Sequence, residues 1–346
     1  MIFPSETIDR SVMRWEDYIY DLTPFEKHQG IWWKRDDYFA PLGYGGPNGS
    51  KLRQLLHLVD KYVKTGANKG VITGASILSP QLSMSSLVAK HYDLPMVIIL
   101  GGTKPETSIR AENVYISAEA GAQFFYTPVA YNPAIQHNVK KIQEERYPDY
   151  YKVCYGITTP EDSTSAGITA FHEVGAYQVQ NLPAHIKTLA VPMGSANSCV
   201  SVLYGIAKYK PASLERVILF GIGPTRLDHI EYRLRKIEEE TGVEILNLFR
   251  RKYHHNQDAE NEYQTDGKIT LEHFNLHATK YSSYTDKMPY SLRDGSISFH
   301  PTYEGKCLSY MDSNPGLFDW YHNPDGTAAF WIVGSEPSRK VLEGKL

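Results

Sequence analysis

Trp33-Lys34-Arg35-Asp36-Asp37, followed by Gly45-Gly46-Pro47-Asn48-Gly49-Ser50-Lys51-Leu52-Arg53-Gln54-Leu55, is the stretch on which the fold assignment turns. A lysine that follows a Gly/Asn/Ser turn and opens an apolar helical run (Leu52, Leu55, Leu56, Val59) sits at a helix start. A helix N-terminus there can meet a phosphate or a carboxylate. An amine buried at such a place has a lowered pKa and is a candidate Schiff-base nucleophile. On spacing alone, a solvated lysine in a first helical turn is the commoner case.

Working outward, residues 52–155 alternate helical and strand signals. Residues 52–65 read as an amphipathic helix ended by Gly66, and residues 70–74 as a short buried strand and turn. Helices follow at 82–91, 109–120 and 133–146, with strands at 96–100 and 123–126. A second series has helices at 164–181, 198–209 and 229–241, and strands at 188–191, 216–221 and 244–248. Strands spaced by helices in this way predict β-α-β units and parallel sheets. Two such sheets facing each other place a ligand between them, at the carboxyl ends of strands. Residues 249–285, rich in Tyr, His, Asn and charge, are the least periodic and read as a surface insertion or a lid.

Length and composition set the class. The chain has 346 residues, 42% hydrophobic and 22% charged, with a net charge of -3. That suffices for a large core and about two domains, and its balance leaves no overall nucleic-acid footprint. The 25 tyrosines are an excess suited to interfaces or a polar pocket. Cys154, Cys199 and Cys307 are far apart and form no Cys-x-x-Cys or His/Cys cluster, so no metal is assigned and reduced thiols in a cytoplasmic protein are expected. The N-terminus carries no basic-then-apolar leader pattern. The longest apolar stretch, 96–100, is too short for a membrane span. Arg250-Arg251-Lys252-Tyr253-His254-His255, followed by Asp258, Glu260 and Glu262, reads as a solvated mixed-charge loop, as Lys34 to Asp37 does on its own.

Three more constellations carry chemistry. Gly194-Ser195-Ala196-Asn197-Ser198 joins a strand to a helix, where small residues let backbone N–H groups approach an anion. Thr73-Gly74-Ala75-Ser76-Ile77-Leu78-Ser79-Pro80-Gln81 is another strand-to-helix turn, in which Ser79 is either an anion ligand or simply an N-cap ahead of Pro80. Thr302-Tyr303-Glu304-Gly305-Lys306-Cys307-Leu308, taken bare, reads as a strand-to-turn exit.

Together and in this order, the four segments resemble the pyridoxal-phosphate (PLP) enzymes of fold type II (tryptophan synthase β-like), in particular the ACC deaminase and D-cysteine desulfhydrase branch. K-R-D-D, G-G-x-N and K-x-R-x-L resemble its cofactor-lysine segment. Residues 194–198 resemble its phosphate loop G-S-G-G-T, with Ala196 and Asn197 in place of glycines. Residues 73–81 fall where the branch holds the substrate carboxylate, with Pro80 in place of asparagine. Tyr303-Glu304-Gly305-Lys306 resembles Y-E/T-G-K, and Gly334-Ser335 falls at a Gly-Gly pair after the last strand. The resemblance implies an α/β fold of two open, mostly parallel sheet domains with the cofactor cleft between them. Residues 1–51 and 156–346 form the large cofactor-binding domain, and 52–155 the smaller inserted one. It implies PLP held by Lys51, Gly194, Ser195, Ala196, Asn197, Ser198, Glu304 and Ser335. Catalytic roles fall to Lys51, Tyr303 and Ser79, and substrate contacts to Ser76, Ser79, Gln81 and Tyr303. Glu304 beside the ring nitrogen would strengthen the electron sink. The implied activity is a deaminase or β-elimination lyase acting on the α-amino group of an amino acid, through an external aldimine and a quinonoid. The alternatives are a PLP decarboxylase or lyase acting on an aminoacyl group carried by a nucleotide or modified DNA base, and a PLP-fold protein that binds without catalysis. A small amino-acid-like substrate, no membrane partner and a homodimer complete the expectation.

Overall fold

The computed structural model describes residues 19–43, 46–66, 68–102, 104–254, 260–263, 267–281 and 286–337. The N-terminal stretch considered for a leader, Gly45, and residues 255 and 258 of the basic run lie outside them. The chain enters through a hairpin, β1 (Phe25–His28) and β2 (Ile31–Arg35), and reaches helix α1 (Ser50–Lys64). A β-α series follows: β3 (Val71–Ser76), α2 (Pro80–His91), β4 (Met96–Gly101), α3 (Pro105–Ser108), α4 (Glu112–Glu119), β5 (Gln123–Thr127), α5 (Asn132–Arg146) and β6 (Tyr151–Lys152). The second series is α6 (Ser165–Ala176), β7 (Thr188–Met193), α7 (Asn197–Tyr209), β8 (Arg216–Gly221) and α8 (Leu227–Thr241). The remainder is β9 (Phe249–His254), β10 (Glu260–Tyr263), β11 (Ile269–Asn275), β12 (Tyr290–Ser291), β13 (Ser298–Phe299), α9 (Glu304–Asp312), α10 (Asp319–His322) and β14 (Ala328–Ile332).

Two open sheets result. The smaller has the order β5-β4-β3-β6 with every pair parallel. The larger runs β1-β2-β14-β7-β8-β11-β9-β10 and is parallel from β2 to β9, with antiparallel strands only at its edges. Each is covered on both faces, as parallel sheets require. Alternate residues of β7 divide between the two layers: Leu189 and Val191 pack toward α7 and α8, and Ala190 toward α9. In the smaller sheet, Ile72, Val97 and Ile99 meet Ile135 and Val139 of α5, while Val71, Ile98 and Leu100 face α1 and α2. Among the described residues no helix is long and apolar enough to cross a membrane, and no His/Cys/Asp/Glu group is placed to hold a metal.

Four expectations are corrected. Where it is described, the segment 249–285 is part of the large sheet rather than an insertion or a lid: β11 lies between β8 and β9. Its polar look comes from charges that pair across strands, Glu272 with Arg216 at 2.8 Å and with His254 at 3.2 Å. The strand expected at 244–248 starts instead at Phe249. Residues 302–308 are a helix start, α9, rather than a strand exit. The run Lys34 to Asp37 is not solvated: Lys34 is 0% and Asp36 1% exposed. Lys34 Nζ donates to the Thr23 carbonyl and to Asn181 Oδ1, both at 2.7 Å. Arg35 pairs with Glu26 at 2.6 Å and Asp37 at 2.8 Å.

Candidate active site

The site begins with the turn that delivers Lys51. Asp36, at the end of β2, accepts from Ser50 Oγ, from Thr23 Oγ1 at 3.2 Å and from Arg53 at 3.0 Å. Both residues that flank Lys51 in this way, Ser50 and Arg53, are tied to one buried carboxylate. Gly49 has φ +84°, and a β-carbon there would collide with the Val333 carbonyl. That carbonyl accepts the Ser50 N–H at 2.9 Å. Asn48 closes the clamp: its Nδ2 donates to Ser335 Oγ at 2.6 Å and its Oδ1 accepts the Ser335 N–H at 2.8 Å. The start of α1 is thus pinned to the turn after β14, and Ser335 is engaged through this clamp.

Lys51 opens onto a cleft between the carboxyl ends of β7 and β14 and the start of α2. Its amine lies 5.5 Å from the Tyr303 ring centroid. Desolvation lowers its pKa from 10.5 to about 8, with the Glu304 carboxylate acting against that fall. An amine so placed is a nucleophile near neutral pH. Gly194, Ser195, Ala196 and Ser198 line the cleft where β7 turns into α7. A β-carbon at Gly194 would stand 3.0 Å from the Tyr303 ring, so only glycine fits there without displacing the ring. Ala196 takes the left-handed conformation, φ +72°, in which an alanine is strained. Asn197 turns away from the cleft: its Nδ2 donates to the Ile157 carbonyl at 2.9 Å and its Oδ1 faces His229 Nε2 at 3.1 Å.

Glu304 is 0% exposed. Its Oε1 accepts the Val333 N–H at 2.9 Å, while its Oε2 has no hydrogen-bond partner among the described residues. Burial raises its pKa from 4.5 to about 8. A buried carboxyl oxygen without a partner is costly and calls for one.

The turn before α2 behaves differently. Ser79 caps the helix, its Oγ accepting the Gln81 N–H at 3.4 Å. Pro80 has no N–H, and Leu82 N donates to the Ser79 carbonyl at 3.2 Å. Few donors remain at this helix start for an anion. Gln81 is spent on the core: its Nε2 donates to Thr73 Oγ1 at 2.7 Å and its Oε1 accepts the Gly156 N–H at 2.8 Å. Ser76 ends β3, and its carbonyl accepts the Ser79 N–H at 3.0 Å. The atoms this element brings to the cleft belong to Pro80 and Met84.

Sequence reasoning missed His300 and Asn48, which also line the cleft. His300 stands three residues before Tyr303, and that spacing was the available signal. Its Nδ1 accepts the Thr302 N–H at 3.1 Å, and its ring packs edge-on against Tyr303 at 4.8 Å.

No protein-family model matches the chain. Among curated proteins it is 37% identical, over 97% of its own length and 87% of the relative's, to the O-seryl-dTMP PLP-dependent decarboxylase of Salmonella phage ViI. The chain belongs to the fold type II family of PLP-dependent enzymes. Solved structures agree on the fold. An ACC deaminase homologue superposes with a TM-score of 0.63 over 94% of both chains at 15% identity. The O-acetylserine-dependent cystathionine β-synthase of Helicobacter pylori gives 0.53 over 94% of this chain and 96% of its own, at 18% identity. Threonine deaminase isoform 2 of Solanum lycopersicum gives 0.54 over 95% and 84%, at 14% identity.

The residues present fit PLP. The Lys51 amine suits its aldehyde and the turn at 194–198 its phosphate. Glu304 lies behind the cleft lining rather than in it, and its buried Oε2, which has no partner among the described residues, suits the ring nitrogen.

Proposed function

We propose that this PLP-dependent enzyme is a decarboxylase that removes the α-carboxyl group from a seryl group O-linked to a thymidine nucleotide. Similarity over 97% of the chain to the O-seryl-dTMP decarboxylase carries this reading. The cleft supports it. A deaminase, a racemase or an elimination lyase must keep its substrate's carboxylate, and strong donors at a helix start are a ready means of holding one. Here that start is spent on its own cap, and Pro80 and Met84 face the cleft instead. Interactions that hold the ground state more strongly than the transition state slow a reaction, so weak carboxylate binding favours loss of CO2.

Bound PLP supplies the electron sink that a breaking bond at Cα requires. The chain's own residues do the rest. Lys51 would hold the cofactor, and its freed amine would carry the proton that Cα takes up as CO2 leaves. The turn at 194–198 would anchor the phosphate and Glu304 the ring nitrogen, while Tyr303 walls the cleft beside Lys51. Residues 1–51 and 156–346 serve as the large domain, and 52–155 as the smaller one that carries Pro80 and Met84.

The test is product analysis. PLP-loaded protein given O-seryl-dTMP should release CO2 and leave the corresponding O-linked aminoethyl nucleotide, while free serine and ACC give little product. Ammonia and a keto acid from free amino acids, with no CO2 from the nucleotide, would overturn the proposal in favour of a deaminase.

A further inference from the structure

We propose that His300 anchors the substrate's α-carboxylate as a neutral hydrogen-bond donor, and that this lack of charge leaves the carboxylate free to depart. The inference rests on the decarboxylase reading and names the residue that reads the leaving group.

Three observations lead to it. First, among the described residues lining the cleft there is no arginine and no lysine besides Lys51, which the cofactor occupies. A carboxylate entering this cleft therefore meets no cationic side chain in its lining other than Lys51, and the Lys287 charge acts on it only from outside that lining. Second, the start of α2 is closed to it, since Pro80 has no N–H and the Gln81 N–H bonds to Ser79 Oγ. Third, the His300 ring is fixed in one tautomer. Its Nδ1 accepts the Thr302 N–H at 3.1 Å, so the proton of the neutral ring is on Nε2. That Nε2 bonds to no other described protein group, and the residue is 8% exposed, lining the cleft. His300 and Lys51 lie against one ring: Tyr303 has the imidazole centroid at 4.8 Å and the Lys51 amine at 5.5 Å. His300 and Lys51 thus line one cleft, near enough for the Lys51 charge to act on the imidazole.

Burial and the Lys287 and Lys51 cations push the His300 pKa down to about 3, so the ring stays neutral throughout the working range. A neutral N–H orients a carboxylate without the charge stabilisation that a lysine or arginine would add in the ground state. When the Cα–carboxyl bond breaks, its electron pair stays with Cα. The carboxylate leaves as uncharged CO2, and Cα takes one proton from the Lys51 ammonium. A cation at position 300 would oppose that loss of negative charge.

The experiment uses two unreactive or spent ligands of the same nucleotide. One is the des-amino analogue, an O-linked propanoate that keeps the carboxylate; the other is the product amine, which lacks it. Calorimetry on His300→Phe should show the propanoate bound about tenfold to a hundredfold more weakly than by wild type. Affinity for the product amine and the visible band of lysine-bound PLP should be unchanged. His300→Asn should recover part of the loss. His300→Lys should bind the propanoate more tightly than wild type yet release CO2 more slowly from O-seryl-dTMP. Equal weakening of both ligands, no weakening of the propanoate, loss of the cofactor band, or full-rate CO2 release by His300→Lys would each overturn the inference. If wild-type protein releases no CO2 from O-seryl-dTMP, the decarboxylase reading falls. His300 is then judged by the same carboxylate-dependent comparison on whichever free amino acid the enzyme consumes.

Discussion

Glu304→Gln separates the two properties of the Glu304 carboxyl, its shape and its charge, in the protein freed of PLP. The folded apoprotein holds the Glu304 proton to about pH 8, whereas an unperturbed glutamate releases it near 4.5. Between those limits folding takes up a proton, so the stability of the wild-type apoprotein falls as pH rises. The full penalty is in place above pH 8. At about 1.4 kcal/mol per pKa unit the span amounts to about 5 kcal/mol, an upper figure because cleft water relaxes part of it. Glutamine keeps the hydrogen bond from the Val333 N–H but has no charge to desolvate. Its amide nitrogen becomes an unpartnered donor where Oε2 was, a fixed cost of about 1 to 3 kcal/mol that does not vary with pH. The slope, not the offset, is therefore the readout.

Urea unfolding of both apoproteins at pH 5, 6.5 and 8.5 is the assay. Wild type should lose about 2 to 5 kcal/mol relative to Glu304→Gln across this range. Adding PLP gives Oε2 its partner and should flatten the wild-type slope while leaving the variant's slope as it was. Parallel curves for the two apoproteins would refute the reasoning, since they would mean that Oε2 is neither buried nor partnerless in solution.

Lys51→Ala should remove the visible band of lysine-bound PLP and all turnover, with an unchanged far-ultraviolet circular dichroism spectrum; normal activity would sink the assignment. Gly49→Ala forces a β-carbon into the Val333 carbonyl at φ +84°, and should cost at least about 1 to 2 kcal/mol in urea unfolding and weaken PLP binding. Arg53→Met leaves Asp36 buried without its cation and should lower stability by about 3 to 5 kcal/mol; a change below about 1 kcal/mol would show that Ser50 and Thr23 suffice for Asp36. Ala196→Gly removes left-handed strain and should raise stability by up to about 1 kcal/mol, with PLP affinity retained on titration. ACC deamination should be poor, because Pro80 supplies neither an N–H nor a polar side chain; robust α-ketobutyrate release from ACC would contradict this.

Much of the fold was legible because its signals are local. Residues 96–100 form an unbroken apolar run and do become β4, buried along its length. Gly66 and Gly121, past the ends of two periodic stretches, mark where α1 and α4 stop. Tyr303 and Lys51 were also legible, and the structure places them on one cleft. Besides the misplaced strand at 244–248 and the helix start at 302–308, what failed were the inferences at 34–37 and 249–285, which took charge as a sign of solvent. Glu272 and Arg216 are 56 residues apart; Arg53 and Asp36 are 17 apart. A sequence window sees two charges and no partner, so β11 looked like a loop and Lys34 to Asp37 like a surface.

The turn at 79–81 shows the complementary error. Ser, Pro and Gln ahead of a helix read equally as an anion cradle or as a cap, because both uses want a hydroxyl at that place. Counting donors separates them. Of the first three helical residues, Pro80 has no N–H, and those of Gln81 and Leu82 both bond back to Ser79. One of the three was legible in the sequence, since a proline at the first helical position removes a donor wherever it stands. The other two needed the fold: the Ser79 rotamer for the Gln81 N–H and the turn of the backbone for the Leu82 N–H. A helix start satisfied by its own cap differs from a carboxylate-binding loop by few residues, yet on the decarboxylase reading it leaves the substrate's carboxylate to the other residues that line the cleft. Among them is the imidazole of His300, whose second nitrogen is already committed to Thr302.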